Sequence, residues 1–562
     1  MSPGMLADVT ATGPGAESRR AALQALDGPP FDLIVVGGGI NGTGIARDAA
    51  MRGLRVLLIE KDDLGAGSTA YSTRLIHGGL RYLEFFEIGL VRESLREREI
   101  LLRIAPHLVR PLPLLIPLYR SGRYPASLVR MGLVAYDALS FDKSLPNHRF
   151  LTRADALRRV PGMNPEGLRG AGLYFDAQAD YPERLCVENV LSASAHGAAV
   201  LTRARAERLL VKDERVLGVE VRDLPSGRAF TVLGRLTVNA TGAWVDELSG
   251  TLATPPGRML GGTKGSHVVV DPFPGAPRDS LYFEAGADGR PMFIVPWQDR
   301  YYLIGSTDIR YEGDLDRVVA EPAEIRYFLE EANRIIVGAG LTPASVRYSY
   351  SGVRPLPYTS GTREGRITRR HILHDHAPLT GLLTVVGGKL TTYRSLAEEA
   401  VDHALRVLGR PRRRSPTGLV PLPGAAGEPG RVAEWLARER GLQVEVAERL
   451  AGLYGTRAAE VLRAAGDDPD LLRPLGGEAP TVGAELVLAF RAELAGSLAD
   501  AFLRRTMTGL AGDRGLGALD AALEVGRRHL GWDAERSGSE AEEYQRALER
   551  YAPAGLPVGA GS

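Results

Sequence analysis

The sequence contains very little cysteine and no excess of charge of either sign. Its 562 residues include one cysteine, Cys186, which excludes an internal disulfide, a CxxC redox pair and a thiolate zinc site within one chain. The 69 basic and 68 acidic side chains leave a net charge of +1. Such a chain has no overall field that would attract nucleic acid, so we expect no nucleic-acid partner and any basic site must be local.

Long apolar runs are also missing. No window reaches the roughly 18 apolar residues that a membrane-spanning helix needs, and the N-terminus lacks the apolar core of a signal peptide. We therefore expect a cytoplasmic protein, peripheral to the inner face of the cytoplasmic membrane if it meets a membrane at all. The apolar segment 112–119 is either a monotopic lipid contact or a connection packed in the core. The arginines that would accompany such a contact are Arg110, Arg120, Arg123 and Arg130. Arg410 and the arginines at 412–414 either bind anionic lipid headgroups as well or belong to a solvated linker.

The common metal-site and hydrolase patterns are absent as well. The sequence has no HExxH, GxSxG or Walker A pattern, which removes zinc-protease, serine-hydrolase and P-loop functions. The segment 371–376 (HILHDH) holds three histidines without converging acidic partners. We interpret it as a loop with solvated histidines and expect no metal.

A strand–turn–helix–strand unit begins the ordered part of the chain, over 33–59. In its glycine motif, Gly37 permits a tight turn, Gly39 lets the backbone approach a pyrophosphate, and Gly42 lets the helix pack on the strand. Glu60, at the end of the second strand, would accept hydrogen bonds from ribose hydroxyls and repel a 2′-phosphate. The unit therefore predicts FAD or NAD rather than NADP.

Three further segments favour FAD over NAD. The small-residue loop at 65–69 (GAGST) suits close backbone contact with a flat cofactor, whereas an NAD dehydrogenase would more naturally carry a complete six-strand Rossmann domain. The junctions 239–242 (NATG) and 387–391 (GGKLT) would return the chain to the same site. A helix N-terminus at 389–391 would also stabilise an anionic reduced flavin.

Composition and spacing divide the chain into five segments. Proline and glycine concentrate at 408–430, and the residues beyond have helical spacing. Apolar segments at 267–271, 292–296 and 301–305 predict an antiparallel sheet. The expected order is a disordered leader (1–30), an FAD-dependent oxidoreductase region with interleaved FAD-binding and substrate-binding parts (31–407), a linker (408–430), a separate helical domain (431–550) and a tail (551–562).

Seven motifs occur in order along the chain: GGGINGTGIARDAAMRGL (37–54), STRLIHGGLRYLE (72–84), NATGAWVD (239–246), TKGSHVVV (263–270), the strand 293–297 followed by IGSTD (304–308), SGVRPLP (351–357) and GGKLTTYR (387–394). Together they resemble the FAD-dependent, quinone-linked glycerol-3-phosphate dehydrogenase family over about 31–407. The segments LAGLYGT (450–456) and FRAELAGSLADAFLRRTM (490–507) are similar to the helical C-terminal domain of that family.

The resemblance implies both a fold and an activity. The fold is α/β: a glutathione-reductase-like FAD-binding Rossmann fold with an interleaved antiparallel-sheet substrate domain and a helical C-terminal domain. The activity is oxidation of sn-glycerol 3-phosphate at C2 to dihydroxyacetone phosphate, with the hydride passed to flavin N5 and the electrons to a quinone. Related oxidases pass the electrons to O2 instead, and a homodimer is left open. Besides the glycine motif and Glu60, the expected cofactor-binding residues are Asn41, Ser68, Thr69, Gly78, Gly79, Thr241, Gly242, Gly388, Leu390 and Thr391.

The substrate would need a clamp for its phosphate dianion. Guanidinium forks or an ammonium bind such a group, and Arg354, Arg369 and Lys389 form the predicted cluster. The family pattern adds Arg81 and Tyr82. In the family an acidic residue usually follows the arginine that binds the phosphate, but here Arg370 follows Arg369. The sequence therefore leaves open which group pairs with Arg369 and which arginine faces the phosphate.

The reaction would also need a base for the proton of the C2 hydroxyl. His267 and His77 are the candidates, because imidazole titrates near working pH. His267 starts a predicted strand, from which its side chain would project over a flavin face, whereas His77 lies in a glycine-flanked turn beside the flavin. The predicted catalytic residues are His267, His77 and Arg354.

Three other functions remain compatible with a flavin fold. An amine or amino-acid oxidase would bind a carboxylate, for which one arginine suffices, so the predicted cluster argues against it. A non-catalytic flavin- or nucleotide-binding protein would need neither a base nor a phosphate clamp. An O2-using glycerol-3-phosphate oxidase differs only in its electron acceptor.

Overall fold

The computed structural model describes residues 14–361 and 367–552, with side chains from residue 19 onward. Its strands are β1 (Phe31–Val36), β2 (Val56–Ile59), β3 (Leu75–Ile76), β4 (Val109–Tyr119), β5 (Arg149–Thr152), β6 (Leu168–Ala179), β7 (Ala199–Leu201), β8 (Ala204–Lys212), β9 (Arg215–Asp223), β10 (Ala229–Asn239), β11 (Thr263–Val270), β12 (Ser280–Glu284), β13 (Pro291–Trp297), β14 (Tyr301–Gly305), β15 (Ile309–Arg310), β16 (Val346–Arg354), β17 (Ile372–Asp375) and β18 (Leu382–Val386).

The helices are α1 (Pro14–Ala25), α2 (Ile40–Met51), α3 (Ile88–Ile104), α4 (Ala126–Leu139), α5 (Arg153–Arg159), α6 (Pro182–Ala195), α7 (Val245–Ser249), α8 (Pro322–Ile335), α9 (Tyr393–Val407), α10 (Pro429–Arg440), α11 (Val444–Tyr454), α12 (Ala458–Ala465), α13 (Gly483–Ala492), α14 (Leu498–Arg504), α15 (Leu519–His529) and α16 (Ala534–Leu548). A short 3-10 helix, Leu80–Phe85, precedes α3. Within the part of the chain that the structure describes, none of the helices has the length and apolar character that crossing a bilayer requires.

The first sheet carries the predicted strand–turn–helix–strand unit. Its order is β17-β18-β10-β1-β2-β7, and β1 pairs in parallel with both β2 and β10. Every residue of β1 and β2 is buried, as expected for a parallel sheet covered on both faces. At Gly44 a Cβ would lie 2.8 Å from the Tyr393 ring, so this glycine lets α2 pack closely on α9. The carboxyl ends of β1 and β10 meet beside the N-terminus of α2.

The second sheet is the predicted antiparallel one. Its order is β15-β11-β14-β13-β12-β4-β6-β3, with β16 beside β11 and β5 beside β6. Strands β11, β14 and β13 pair antiparallel, as do β11 and β16. Because the chain enters this sheet between visits to the first one, the two parts are interleaved, and the predicted fold class is confirmed.

Segment 112–119 packs in the core, so the second of its two predicted roles is confirmed and the lipid contact at this position is wrong. It lies within β4, which pairs antiparallel with β6 along its length, and Leu112, Leu114, Leu115 and Leu118 are buried. The accompanying arginine Arg110 pairs with Asp180 at 2.8 Å. An apolar run of eight residues therefore reflects a buried strand here.

Three segments predicted to be unstructured or solvated are ordered. Residues 14–25 of the expected leader form α1, and Ala22 is buried in the core under the first sheet; residues 1–13 lie outside the described range. In the expected linker, Ser415 is buried on Asp48 and Leu422 is buried in the core beside α2. Its arginines also contact protein, since Arg412 pairs with Asp402 at 2.7 Å.

Residues Ile372–Asp375 of the histidine-rich segment 371–376 form strand β17, so the segment is not a loop as predicted. His371 and His376 are buried, so they are not solvated as predicted. The ring of His371 contacts the Glu399 carboxylate at 2.8 Å, and that of His376 contacts the Thr384 hydroxyl at 2.7 Å.

The C-terminal helices do not form a separate core. Leu450 and Phe502 belong to the same buried cluster as Trp297 and Tyr348 of the second sheet. The expected tail from residue 553 lies outside the described range.

Candidate active site

The glycine turn after β1 has the shape that its sequence predicts. Gly37 has a φ of +111°, which favours glycine. A Cβ at Gly42 would lie 1.9 Å from the carbonyl oxygen of Gly37, so only glycine lets α2 approach the turn. Helix α2 begins after Gly39, and the Ile40 amide donates to the Thr69 hydroxyl at 3.1 Å. The loop 65–69 is thereby fixed against the helix N-terminus.

Glu60 supports this turn from the end of β2. One carboxylate oxygen accepts from the Gly38 amide at 2.5 Å and the other from the Asp62 amide at 2.8 Å. Burial, reinforced by the Asp62 charge, raises the pKa of Glu60 to about 7. Glu60 also lines the cavity described below, where its predicted contact with a ribose stays a prediction.

A cavity of about 630 Å³ runs along the carboxyl ends of the first sheet to the edge of the second. This volume is in the range of cofactor sites. Lys61 and Trp244 lie at one end, with the ammonium 4.3 Å from the ring, and Thr73 and His267 lie on the wall contributed by the second sheet. Predicted residues that line it are Gly37, Gly39, Asn41, Glu60, Ser68, Thr69, His77, Tyr82, Thr241, Gly242, His267, Arg354, Arg369, Gly388, Lys389, Leu390 and Thr391.

Several residues that line the cavity have a buried polar atom without a hydrogen-bond partner among the described residues. These atoms are Oδ1 of Asn41, Nε1 of Trp244, Nδ1 of His267 and Nη1 of Arg369. Buried polar atoms nearly always have hydrogen-bond partners, so these atoms indicate a polar ligand. An elongated cavity, a glycine turn and a helix N-terminus fit the pyrophosphate and the two ring systems of FAD.

A second chamber of about 210 Å³ adjoins this cavity and shares His77, Tyr82, Arg354 and Arg369 with it. Other predicted residues that line only the chamber are Gly79 and Arg81. Gly42 and Gly78 line neither space; the Gly78 amide donates to Asp176 at 3.2 Å. The remaining chamber wall includes aromatic rings and an arginine that sequence reasoning missed, namely Tyr174, Tyr282, Phe293 and Arg290.

Arg354 and Arg369 meet on one carboxylate. Nη1 of Arg354 donates to Asp308 at 3.3 Å, and Nη2 of Arg369 donates to the other oxygen at 3.0 Å. Although burial opposes ionisation, the Arg354 and Arg369 guanidinium groups hold the pKa of Asp308 below its usual value. Arg370 is exposed, so the carboxylate partner of Arg369 is Asp308, from the segment after β14.

Lys389 lies on the same cavity but has different neighbours. Its ammonium donates to the Ser94 hydroxyl at 2.8 Å and to the His77 carbonyl at 3.3 Å, and lies 4.8 Å from the Tyr82 ring. Burial lowers the pKa of Lys389 to about 7. The structure thus brings the three predicted phosphate-binding residues to one cavity. Asp308 joins the two arginines by binding both of them.

His267 is held as a neutral imidazole. Its Nε2 lies 2.9 Å from the Thr73 hydroxyl, and its ring stacks on Tyr350 with centroids 5.0 Å apart. Burial, with the Arg354 charge adding to the effect, keeps the pKa of His267 well below its usual value. Burial followed by the Lys389 charge lowers the pKa of His77 to about 3. Both rings are therefore unprotonated, the form that a general base requires.

Sequence reasoning missed Asp308, Thr73 and Trp244. All three lie inside motifs quoted above (IGSTD, STRLIHGG and NATGAWVD). Their positions in these motifs could have marked them as candidates, but their contacts join segments distant in sequence.

Comparisons with known proteins give matches along most of the chain. The family model described as FAD dependent oxidoreductase matches residues 32–394, and that described as the C-terminal domain of alpha-glycerophosphate oxidase matches 415–537. The chain is 45% identical to a glycerol-3-phosphate dehydrogenase of Synechocystis sp. over 92% of this chain and 96% of that protein. It is 37% identical to one of Mycobacterium leprae, over 95% and 91%. A glycerol-3-phosphate dehydrogenase structure from Bacillus halodurans, complexed with FAD, superposes with a TM-score of 0.78 at 26% identity, covering 97% of this chain and 99% of that one.

Proposed function

The chain belongs to the glycerol-3-phosphate dehydrogenase family of FAD-dependent oxidoreductases, and from this premise we propose that it oxidises sn-glycerol 3-phosphate to dihydroxyacetone phosphate and delivers the electrons to a quinone. One observation carries the choice of substrate. Arg354 and Arg369, joined through Asp308, lie on the wall that the predicted FAD cavity shares with the second chamber.

The clamp is suited to a phosphate dianion rather than to a carboxylate. A carboxylate is satisfied by one bidentate arginine, whereas the chamber presents Arg354 and Arg369 together and is also lined by Arg81 and Arg290. Nη1 of Arg369 has no partner within the described residues. This arrangement favours a phosphate ester over the substrate of an amine or amino-acid oxidase.

The residues around the clamp supply the other requirements of the reaction. When bound, FAD supplies an electron acceptor whose N5 takes up a hydride. His267, neutral and on the cavity wall, accepts the proton of the C2 hydroxyl. Removal of that proton offsets the positive character that develops at C2 as the hydride leaves. Arg354 holds the phosphate end, which would orient C2 toward the base.

An anaerobic visible spectrum of the holoenzyme tests this function. We expect sn-glycerol 3-phosphate to bleach the oxidised flavin band near about 450 nm, while glycerol and glycine leave it unchanged. A soluble quinone analogue should then restore the colour faster than air does. Bleaching by glycine instead would show an amine oxidase, and rapid recovery in air alone would show an oxidase.

We also propose a peripheral contact with the inner face of the cytoplasmic membrane, through a surface other than 112–119. The exposed apolar side chains Leu128, Met131 and Val134 of α4 recur every third residue, and we call them the α4 patch. Phe86, at the end of the neighbouring 3-10 helix, is 84% exposed. Met131 is 64% exposed, and neighbouring exposed apolar side chains mark an interaction site more often than a single one does.

The charges near the α4 patch suit an anionic lipid surface. Arg120, Arg123 and Arg130 are exposed around it, and residues 126–136 contain no carboxylate. Each basic residue near such a surface contributes about 1 kcal/mol. The 3-10 helix beside the patch also carries Arg81 and Tyr82 into the chamber, which would place a membrane-dissolved quinone near the redox site.

Co-sedimentation with lipid vesicles tests this contact. We expect the wild type to sediment with vesicles that contain phosphatidylglycerol and not with pure phosphatidylcholine. Met131→Asp should abolish sedimentation, whereas Val337→Asp, at a site that is 57% exposed and outside the patch, should not. Equal sedimentation of the two variants would refute the α4 patch as the contact.

A further inference from the structure

Asp308 is a carboxylate inside a site that would bind an anion. It lines the chamber with Arg354 and Arg369 and contacts both. A negative charge at this position repels a phosphate, so its presence needs an explanation other than direct binding.

The two arginines depend on Asp308 to different degrees. Arg354 is also held by the Ser306 hydroxyl at 2.8 Å and the Thr307 carbonyl at 3.0 Å. In the part of the chain that the structure describes, the hydrogen bonds of the Arg369 side chain go to Asp308 alone. Without Asp308, no hydrogen bond to a described residue would hold the Arg369 guanidinium, the Arg354 charge would repel it, and its long side chain would be free to adopt other rotamers.

We propose that Asp308 is the positioning residue of the phosphate clamp: by binding both guanidinium groups it holds Arg369 beside Arg354 in the arrangement that receives the substrate. Nη1 of Arg369, which has no hydrogen-bond partner among the described residues, is the group left for the phosphate. This inference rests on the proposed function for the identity of the phosphorylated substrate. The pairing also answers the question raised by Arg370, because the carboxylate comes from the segment after β14 and not from the next residue in the chain.

Electrostatics and positioning predict opposite results when Asp308 is removed. Loss of one negative charge makes the chamber more positive, which alone would tighten the binding of any anion. Loss of the bridge leaves Arg369 misplaced, and a misplacement of about 1 Å costs on the order of a hundredfold in rate. The sign of the change in affinity therefore decides between the two effects.

The test compares Asp308→Ala and Asp308→Asn with the wild-type holoenzyme, and uses Asp271→Ala as the control. Asp271 also pairs with an arginine, Arg347 at 2.7 Å, and its side chain is exposed, so its removal changes the net charge equally. Two quantities are measured: KM and kcat for sn-glycerol 3-phosphate, and the Kd of inorganic phosphate from perturbation of the flavin spectrum.

We expect Asp308→Ala to raise both KM and the Kd of phosphate by about tenfold or more, with kcat changed less and with FAD content retained. Asp308→Asn should give values between those of the wild type and Asp308→Ala, because its amide oxygen still accepts from one guanidinium group. It replaces Asp308→Ala in the test if the alanine variant does not fold. Asp271→Ala should match the wild type. A purely structural role would lower FAD content and kcat instead, and this result would overturn the proposal.

Unchanged or tighter phosphate binding in Asp308→Ala would likewise overturn it. The phosphate titration needs no turnover, so it separates this proposal from the proposed function. If the wild type binds phosphate but glycerol 3-phosphate does not bleach the flavin, the substrate is wrong and the titration still decides the role of Asp308. If the wild type binds no phosphate, the clamp and the role of Asp308 in it both fail.

Discussion

Gly265 of β11 provides a sharp test of the clamp, because the Arg354 guanidinium lies directly over it. A Cβ at Gly265 would lie 2.3 Å from Nη2 of Arg354 and 2.5 Å from Cζ and Nη1. Gly265 faces Gly352 of β16 in the sheet, and its φ is outside the left-handed region, so alanine fits the backbone. The group that must move is the end of a long side chain and not the strand.

The size of the displacement sets the expected effect of Gly265→Ala. Arg354 must withdraw by about 1 Å to reach ordinary van der Waals distance, which also lengthens its bonds to Ser306 and Thr307. A misplacement of this size costs about a hundredfold in kcat/KM, or roughly 2.7 kcal/mol. We expect little change in melting temperature, because the backbone and the apolar core stay as they are.

Anaerobic stopped-flow reduction of the flavin as a function of glycerol 3-phosphate concentration measures this effect. Gly257→Ala is the matched control, since a Cβ at Gly257 meets nothing within 4 Å and its φ is not positive. A kcat/KM for Gly265→Ala equal to that of the control would refute the placement of Arg354 at the substrate. A large fall in melting temperature would instead show that the strand, and not the side chain, had moved.

Three further substitutions test the roles of the remaining groups. Arg354→Ala should raise KM by about a hundredfold, because the phosphate loses a charge-assisted hydrogen bond and is left unpaired on that side. An unchanged KM would contradict the assignment of Arg354 to the phosphate. His267→Ala should slow flavin reduction about 10²- to 10⁴-fold with little effect on binding, and normal single-turnover reduction would remove it as the base. Because the pKa of Lys389 is about 7, its ammonium loses its proton as pH rises through that value, so KM should rise above neutrality. Lys389→Arg keeps its charge at every working pH and should flatten this rise, whereas an unaltered profile would assign the titration to another group.

The parts of the fold that could be predicted are those encoded by neighbouring residues. Gly37, Gly42 and Glu60 belong to one short unit, and each constrains the same turn through sterics or hydrogen bonding. The partners of Arg369 could not be found in this way. Asp308 lies 61 positions from Arg369, and the pairing of β11 with both β15 and β16 brings Asp308 beside Arg354, at the end of β16. Periodicity carries no information about such a contact.

The prolines in and beside 112–119 obscure the strand that this segment forms. Pro111, Pro113 and Pro117 argue against a strand, because proline cannot donate to a ladder. All three lie an even number of positions from one another, however, so their backbone nitrogens point to the same edge of β4. On the side away from β6, β4 is paired with β12 only at Leu114 and Leu115. The strand therefore keeps its hydrogen bonds to β6 while the prolines occupy the less paired edge.

Sequence composition does not show how the helical C-terminal region is joined to the rest of the chain, because it does not show which charges are buried together. Asp63, in the loop that follows β2, binds Arg505 at 2.7 and 2.8 Å and Arg504 at 2.6 Å, both from the C-terminal helical region. Arg184 of α6 binds Glu493 at 2.6 and 3.0 Å, with both side chains fully buried. Removing one partner of such a pair costs about 3–5 kcal/mol, because the other charge is left buried without compensation. The helical region thus neutralises buried charges of the FAD-binding part. A net charge of +1 gives no indication of these pairs, because the opposite charges cancel in the sum.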